Sequence, residues 1–329
     1  MTVLVTGVAG FIGAAVAEAL LRRGGRVIGL DNLNDYYDVR LKRARLARLE
    51  AIPGFRFQQM DLGEPAAVQA LVEGAPEIEG IVHLAAQAGV RFSMQAPFAY
   101  ARSNLIGHLA VLEAARHLPR LRHLVYASSS SVYGGSQNIP FAESERADTP
   151  LSLYAATKRS DELMSHAYAH LYGIHQTGLR FFTVYGPWGR PDMAYFSFAE
   201  AILQGRPITL FDRGMLRRDF TYIDDVVAGV LGCLDRPPAE GEARARVFNI
   251  GNNRPERVID LVDLLEKTLG RPAVRRFAPR PAADVEETCA DVTAIGALCG
   301  FTPATPLAQG IERFSRWFLA WRTERATAK

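Results

Sequence analysis

The sequence predicts an α/β protein: a doubly wound parallel sheet followed by a smaller mixed α/β region toward the C-terminal end. Three features carry that expectation. Short apolar stretches alternate with helix-length ones as far as Phe182, the spacing of parallel strands joined by right-handed helical crossovers. Gly7, Gly10 and Gly13 fall between the first such stretch and the first helix, and Asp31 closes the second. In a parallel sheet those positions lie at the carboxyl ends of the strands, where ligands bind.

Thr2 to Thr6 forms the first strand, and an Ala-rich helix runs on to about Arg23. In the turn between them, G-V-A-G-F-I-G, Gly7 permits the tight turn and Gly10 lets a pyrophosphate approach the backbone. Gly13 lets helix and strand pack closely. Phe11 and Ile12 open the helix whose N-terminus attracts the phosphate charge. The pattern is G-x-x-G-x-x-G rather than G-x-G-x-x-G, so a tight turn without a ligand is the other reading. The second strand, Arg26 to Leu30, ends in Asp31 and Asn32. An acid there bonds both adenosine ribose hydroxyls and repels a 2′-phosphate, which favours NAD over NADP. A third strand, Phe55 to Gln59, leads to Asp61 and Leu62, placed to meet the adenine. The fourth, Ile81 to Leu84, leads into A-A-Q-A-G-V-R, where Ala85, Ala86 and Gln87 lie against cofactor and Arg91 is a candidate anion contact. A long helix from about Pro97 to His117 precedes the strand Leu121 to Ala127 and the run Ser128 to Ser131. A helix from Tyr154 to about Tyr172 and a strand from Gln176 to Phe182 complete the Rossmann-type unit.

Beyond Pro187 the elements shorten. They comprise a helix near Ser197–Gln204, a strand Ile208–Phe211, and R-R-D-F-T-Y-I-D-D-V with a helix to Leu234. An exposed turn (Asp235 to Glu242), a strand Val247–Ile250 and a helix Val258–Leu269 follow, then an Arg/Pro-rich loop from Arg271 to Pro281. Two closing helices end in Trp317 and Trp321, read as core anchors. Residues 1–186 are mainly the dinucleotide-binding domain and 187–329 mainly the substrate-binding region, with the chain able to cross between them. Arg190, Arg217, Arg218 and Arg280, with Arg213, are the candidate anion readers, a surface ion pair being the alternative for each.

With 48% hydrophobic and 22% charged residues among 329, the chain can bury a large core. The net charge of +3 is small for that length and indicates no nucleic-acid surface. The densest basic run, Arg40, Lys42, Arg43, Arg45 and Arg48, alternates with Leu41, Leu46 and Leu49, which suggests the solvated face of an amphipathic helix. The three cysteines lack C-x-x-C spacing. That argues against a disulfide framework or a metal site and fits a reducing cytoplasm. No apolar run approaches the ~18 residues of a membrane span, and the first strand leaves no room for a signal peptide.

Tyr154 and Lys158 are four apart and therefore share one helix face. A phenol with its ordinary pKa near 10 is a poor base at neutral pH. A fixed ammonium beside it favours the phenolate, and a neighbouring serine hydroxyl steers the same proton. Alone, Y-x-x-x-K is cheap; the glycine turn and Asp31 give it a hydride acceptor.

Taken together, the glycine turn, the serine run, Tyr154-x-x-x-Lys158 and R-x-D-F-x-Y-I-D-D resemble the extended short-chain dehydrogenase/reductase family over nearly the whole chain. Within it, D-N-L-N-D-Y-Y-D-V-R-L-K (31–42), Q-A-G-V-R (87–91), S-L-Y-A-A-T-K (152–158) and L-R-F-F-T-V-Y-G-P-W-G-R-P-D-M-A (179–194) are similar to the UDP-glucuronate 4-epimerase group. The resemblance implies that Ser129 is the catalytic hydroxyl, Tyr154 the base, and Lys158 its electrostatic partner and ribose anchor. Ser130 and Thr183 would lie near the sugar or diphosphate, Arg190 would face a hexuronate carboxylate, and Arg218 and Arg280 the diphosphate. It also implies NAD kept through turnover, a UDP-hexuronate substrate oxidised and re-reduced at C4, and a homodimer paired through helices near 97–117 and 152–172.

A 4-keto uronate is a β-keto acid and can lose CO₂. Decarboxylases and 4,6-dehydratases of the same family carry acids beside the hydroxyl, in patterns like T-S-E-V-Y-G and T-D-E-V-Y-G; this chain has Ser130 and Ser131. An Arg190 fork would hold the C5–carboxylate bond near the carbonyl plane, where its electrons overlap poorly with the π system. The rival readings are a UDP-glucose or other nucleotide-sugar 4-epimerase, a UDP-glucuronate decarboxylase, and an NAD-binding sensor without catalysis.

Overall fold

The computed structural model describes residues 1–281 and 284–327. The strands are β1 (Thr2–Thr6), β2 (Arg26–Asp31), β3 (Phe55–Gln59), β4 (Ile78–His83), β5 (His123–Ser129), β6 (Gln176–Phe181), β7 (Thr183–Tyr185), β8 (Pro207–Phe211), β9 (Arg217–Tyr222), β10 (Ala245–Ile250), β11 (Pro255–Arg257) and β12 (Val274–Ala278). The α-helices are α1 (Phe11–Arg22), α2 (Val39–Glu50), α3 (Pro65–Glu73), α4 (Pro97–Tyr100), α5 (Gly107–Arg116), α6 (Leu153–Tyr172), α7 (Ala194–Leu203), α8 (Ile223–Leu234), α9 (Val258–Leu269), α10 (Thr293–Cys299) and α11 (Leu307–Thr327).

Seven strands form one parallel sheet in the order β10-β6-β5-β4-β1-β2-β3. The chain winds outward from β1 through β2 to β3, then returns to β4 on the other side. The β1/β4 boundary is thus the switch point at which a crevice opens. One buried cluster joins α1 and α8 to the sheet and continues into the C-terminal region through Phe314, Phe318 and Trp321. A second fills the opposite face beneath α3 and α5. β11-β9-β7 and β12-β8 make two small sheets.

The seventh strand of the main sheet, β10, comes from the C-terminal half, a return crossing that the division into two regions allowed for. Other expectations change. The Arg/Pro-rich segment contains β12, a parallel partner for β8. The helix expected from Pro97 to His117 contains a π-helical stretch, Ala101–Ile106, between α4 and α5. Trp317 and Trp321 lie within α11 rather than at helix ends. Their rings pack on Trp188 at centroid distances of 5.2 and 5.6 Å, as anchors should.

The basic run is the clearest correction. Arg40, Arg43 and Arg48 of α2 face outward, but Lys42 and Arg45 are buried. Leu41, Leu46 and Leu49 define the inner face, and Lys42 and Arg45 lie one and four residues from Leu41, on the same side of the helix. A charge pattern cannot reveal that polar acceptors wait beneath it.

Candidate active site

A cleft of about 990 Å³ runs along the carboxyl edge of the sheet, between it and the C-terminal elements. Its nucleotide end is built by the glycine turn. Gly7 has φ +70°, and a Cβ there would stand 2.7 Å from the Ala85 nitrogen. A Cβ on Gly10 would come within 2.9 Å of the Gly7 oxygen, and one on Gly13 would collide with that same oxygen. The crowding is all backbone, so only glycine keeps both the turn and the open groove before α1. Phe11, Ile12, Asp61, Leu62, Ala85, Ala86 and Gln87 line the same end. The donor set and bare backbone suit a dinucleotide pyrophosphate.

Asp31 ends β2 in this wall. Its Oδ2 accepts from the Ala9 N–H (3.1 Å) and its Oδ1 from the Leu33 N–H (2.8 Å). The carboxylate is thereby fixed with its remaining lone pairs toward the cleft that Asn32 also lines. Lys42 reaches the same corner, 4.0 Å from Asp31 Oδ1, and donates to Asn34 Oδ1 at 2.8 Å. Burial lowers the pKa of Lys42, and Asp31 partly offsets that.

The central wall comes from β5 and α6. Ser128 and Ser129 both line the cleft, but the Ser128 Oγ donates to Glu162 Oε1 at 2.6 Å, whereas Ser129 Oγ lies 3.1 Å from Ser131 Oγ. Ser152 caps α6 by accepting from the Ala155 N–H at 3.1 Å. The helix therefore starts just ahead of Tyr154, and Tyr154 and Lys158 line the same cleft as Ser129. Tyr154 packs edge-on against Tyr100 with ring centroids 6.1 Å apart. Lys158 is buried and donates to the Ala127 oxygen (3.0 Å) and to Asp161 Oδ2 (3.1 Å).

Behind this wall lies a network that the sequence reading missed. Burial raises Asp161 to about 6 even though Lys158 pulls the other way. Burial would also raise Glu162, but the two-point pairing with Arg180 (2.8 and 2.9 Å) overrules it and holds the carboxyl below its usual range. Asn104, in the π-helical stretch, accepts from the Gln87 N–H (2.8 Å) and donates to Thr157 Oγ1 (2.9 Å), fixing the Gln87 loop to α6. One signal was available: Asp161 and Glu162 follow Lys158 by three and four residues, on its own helix face.

The wall away from the glycine turn carries Arg91, Ser130, Thr183, Arg190 and Arg218. Arg190 donates from Nε to Asp192 Oδ1 (3.1 Å) and from Nη2 to Asp192 Oδ2 (2.6 Å). Tyr36 donates its hydroxyl to Asp192 Oδ2 at 3.2 Å. Burial, then the Asp192 charge, pushes the Tyr36 phenol up to about 12, so it remains a donor at neutral pH. Among the candidate anion readers, Arg280, Arg213 and Arg217 lie outside the lining. Arg280 is the one of these that the resemblance places at the diphosphate. It sits 3.8 Å from Asp212 and 3.7 Å from Glu286, close enough to Arg218 to depress that guanidinium after burial has done so. Arg217 pairs with Glu287 at 3.5 Å, also outside the cleft wall.

A cleft with a dinucleotide turn at one end and a tyrosine–lysine helix at its centre belongs to a dinucleotide-dependent enzyme. The NAD dependent epimerase/dehydratase family model matches residues 3–251, and the chain belongs to that family. It is 47% identical to UDP-glucuronate 4-epimerase 3 of Arabidopsis thaliana over 97% of this chain and 77% of that protein. It is 46% identical to a probable UDP-glucuronate 4-epimerase of Rhizobium meliloti over 97% of both. Among solved structures it superposes on UDP-glucuronic acid 4-epimerase from Bacillus cereus, held with UDP-glucuronic acid and NAD. The TM-score is 0.90 and the identity 33%, over 98% of this chain and 100% of that one.

Proposed function

We propose that this protein interconverts UDP-glucuronate and UDP-galacturonate by epimerisation at C4, using bound NAD. The observation that carries the reading is the placement of Arg190 in the same cleft as Ser129, Tyr154 and Lys158: a carboxylate-reading fork beside a proton-transfer group. When bound, NAD would supply the hydride acceptor and donor for C4. Gly7, Gly10 and Gly13 would admit its pyrophosphate, Asp31 its ribose, and Lys158 its second ribose.

Tyr154 would take the proton from the C4 hydroxyl and give it back after the sugar has turned over. Ser129 would hydrogen-bond the C4 oxygen throughout. Arg190 uses its Nε/Nη2 edge on Asp192, which leaves Nη1 and the second Nη2 proton for the uronate carboxylate. Thr183 and Ser130 would contact the sugar, and Arg218 with Arg91 the diphosphate, Arg280 strengthening the field from outside. Neither Ser130 nor Ser131 can act as a carboxyl acid beside Ser129, so the ketone would return to an alcohol rather than lose CO₂.

We also infer a homodimer. Phe98 (87% exposed), Ile106, Leu109, Leu163, Leu171 and Tyr172 leave an uncovered apolar surface on the 97–116 segment and α6, of the kind that marks an interaction site. The unpaired cysteines fit a reducing cytoplasm; among the described residues no helix is long and apolar enough to cross a membrane. The epimerised nucleotide sugar would be a glycosyl donor for polysaccharide synthesis. The test is to incubate purified protein with UDP-glucuronate and separate epimer, pentose and unreacted sugar. Epimer without added NAD, and NAD released on denaturation, are expected. Pentose and CO₂ matching substrate loss would overturn the reading in favour of a decarboxylase.

A further inference from the structure

Arg45 is wholly buried, yet among the described residues no carboxylate pairs with it. A guanidinium has five N–H groups, and here all five have acceptors. Nε donates to the Trp188 oxygen (3.0 Å), Nη1 to the Ala9 oxygen (2.9 Å) and Tyr37 Oη (2.7 Å), and Nη2 to the oxygens of Trp188 (2.6 Å) and Gly189 (2.9 Å). A buried cation held only by neutral dipoles is an expensive way to fill a core. Its partners show what it holds together.

Ala9 belongs to the glycine turn, one residue before Gly10. Trp188 and Gly189 are the two residues immediately before Arg190. Trp188 has φ +64°, a left-handed conformation that a bulky aromatic adopts only when its surroundings impose it. The surroundings here are Arg45, which takes the Trp188 carbonyl with two N–H groups, and Arg48, whose guanidinium lies 4.6 Å over the indole ring. Trp317 and Trp321 pack against the same ring. The peptide entering Arg190 is therefore aimed by α2, and α2 is fastened to the nucleotide turn.

We propose that Arg45 is a positioning residue for Arg190: it locks the 188–190 turn against the nucleotide-binding turn so that the edge of Arg190 not held by Asp192 faces the cleft. The inference rests on the reading above, in which Arg190 receives the substrate carboxylate. Lysine cannot replace Arg45, because one ammonium with three donors cannot span acceptors on both sides of a planar fork.

The experiment is a double-mutant cycle on the NAD-loaded protein: Arg45→Lys, Arg190→Ala and the pair, with kcat, KM and the CO₂ fraction of product measured on UDP-glucuronate. Arg45→Lys is expected to lower kcat/KM about 100-fold, the scale of loss from misplacing a substrate-holding group, and to raise the CO₂ fraction. In the Arg190→Ala background it is expected to cost twofold or less, roughly the additivity error of such cycles. Comparable losses in both backgrounds would overturn the proposal, since Arg45 would then act through the fold or the cofactor. Should Arg45→Lys not fold, Tyr37→Phe removes one acceptor of the same guanidinium. It is expected to show a smaller loss with the same dependence on Arg190, and a loss independent of Arg190 would overturn the proposal as well. An Arg190→Ala protein that turns over UDP-glucuronate normally sinks the carboxylate-binding role itself, a result distinguishable from additivity in the cycle.

Discussion

Lys158 and Asp161 form a buried ion pair one helical turn long, Nζ to Oδ2 at 3.1 Å, with the other oxygen of Asp161 left without a partner. The acid is raised from 3.8 to about 6 by burial, so the folded state holds its proton more tightly than the unfolded chain. Its contribution to stability is fully present below about pH 4 and is lost as pH rises through 6. Relative to Asp161→Asn, the wild-type protein should lose about 3 kcal/mol between pH 4 and pH 7.5, from roughly two pKa units at 1.36 kcal/mol each. Urea unfolding of both proteins across that range measures it. A gap independent of pH would show that Asp161 does not titrate there.

Tyr154→Phe would remove the proposed proton acceptor while leaving the ring against Tyr100. Epimerisation should fall roughly 10²- to 10⁴-fold, the usual worth of a positioned acid–base group, with NAD still released on denaturation. Loss of NAD together with activity would instead assign Tyr154 to cofactor retention.

Asp192→Ala takes away the two-point anchor of Arg190. With its fork free to swing, kcat/KM for UDP-glucuronate should fall about tenfold, or ~1.4 kcal/mol of transition-state stabilisation, and pentose should appear among the products. Unchanged product partition would mean that Arg190 is oriented without Asp192.

Glu162→Gln breaks a buried arrangement in which one carboxylate serves Ser128, Arg159 and Arg180. Leaving Arg180 uncompensated should destabilise the protein by about 3–5 kcal/mol. Because the carboxyl sits below its ordinary range, the deficit should shrink as pH falls through that depressed value. Denaturant midpoints at neutral and acidic pH report both effects.

The parts of this fold governed by local rules were legible in the sequence. Glycines that sterics demand, an acid closing β2 and a Tyr–Lys helix face each follow from neighbours a few residues away. The helix carrying Lys42 and Arg45 was misread because the acceptors of Arg45, on Ala9, Trp188 and Gly189, are remote in sequence, and that of Lys42, Asn34, lies in the loop ahead of the helix. The same distance hid β12, whose Arg-rich strand makes sense only beside β8. Arg280 was placed at the diphosphate end by the family resemblance; in the structure it lies beside Asp212 and Glu286, which no spacing rule connects to it. Asp161 and Glu162 lay within reach of the helical period and were passed over.

The return of the chain to lay β10 beside β6 has a consequence for any attempt to divide the molecule. A fragment stopped near Gly186 would leave the backbone edge of β6, buried along its whole length, without its hydrogen-bonded neighbour. Bare apolar edges of that kind pair with other copies. Grafting a foreign sugar-binding half onto this nucleotide lobe would therefore succeed only with a crossover that keeps β10 in place, so the unit available for exchange is a set of insertions and not a terminal half.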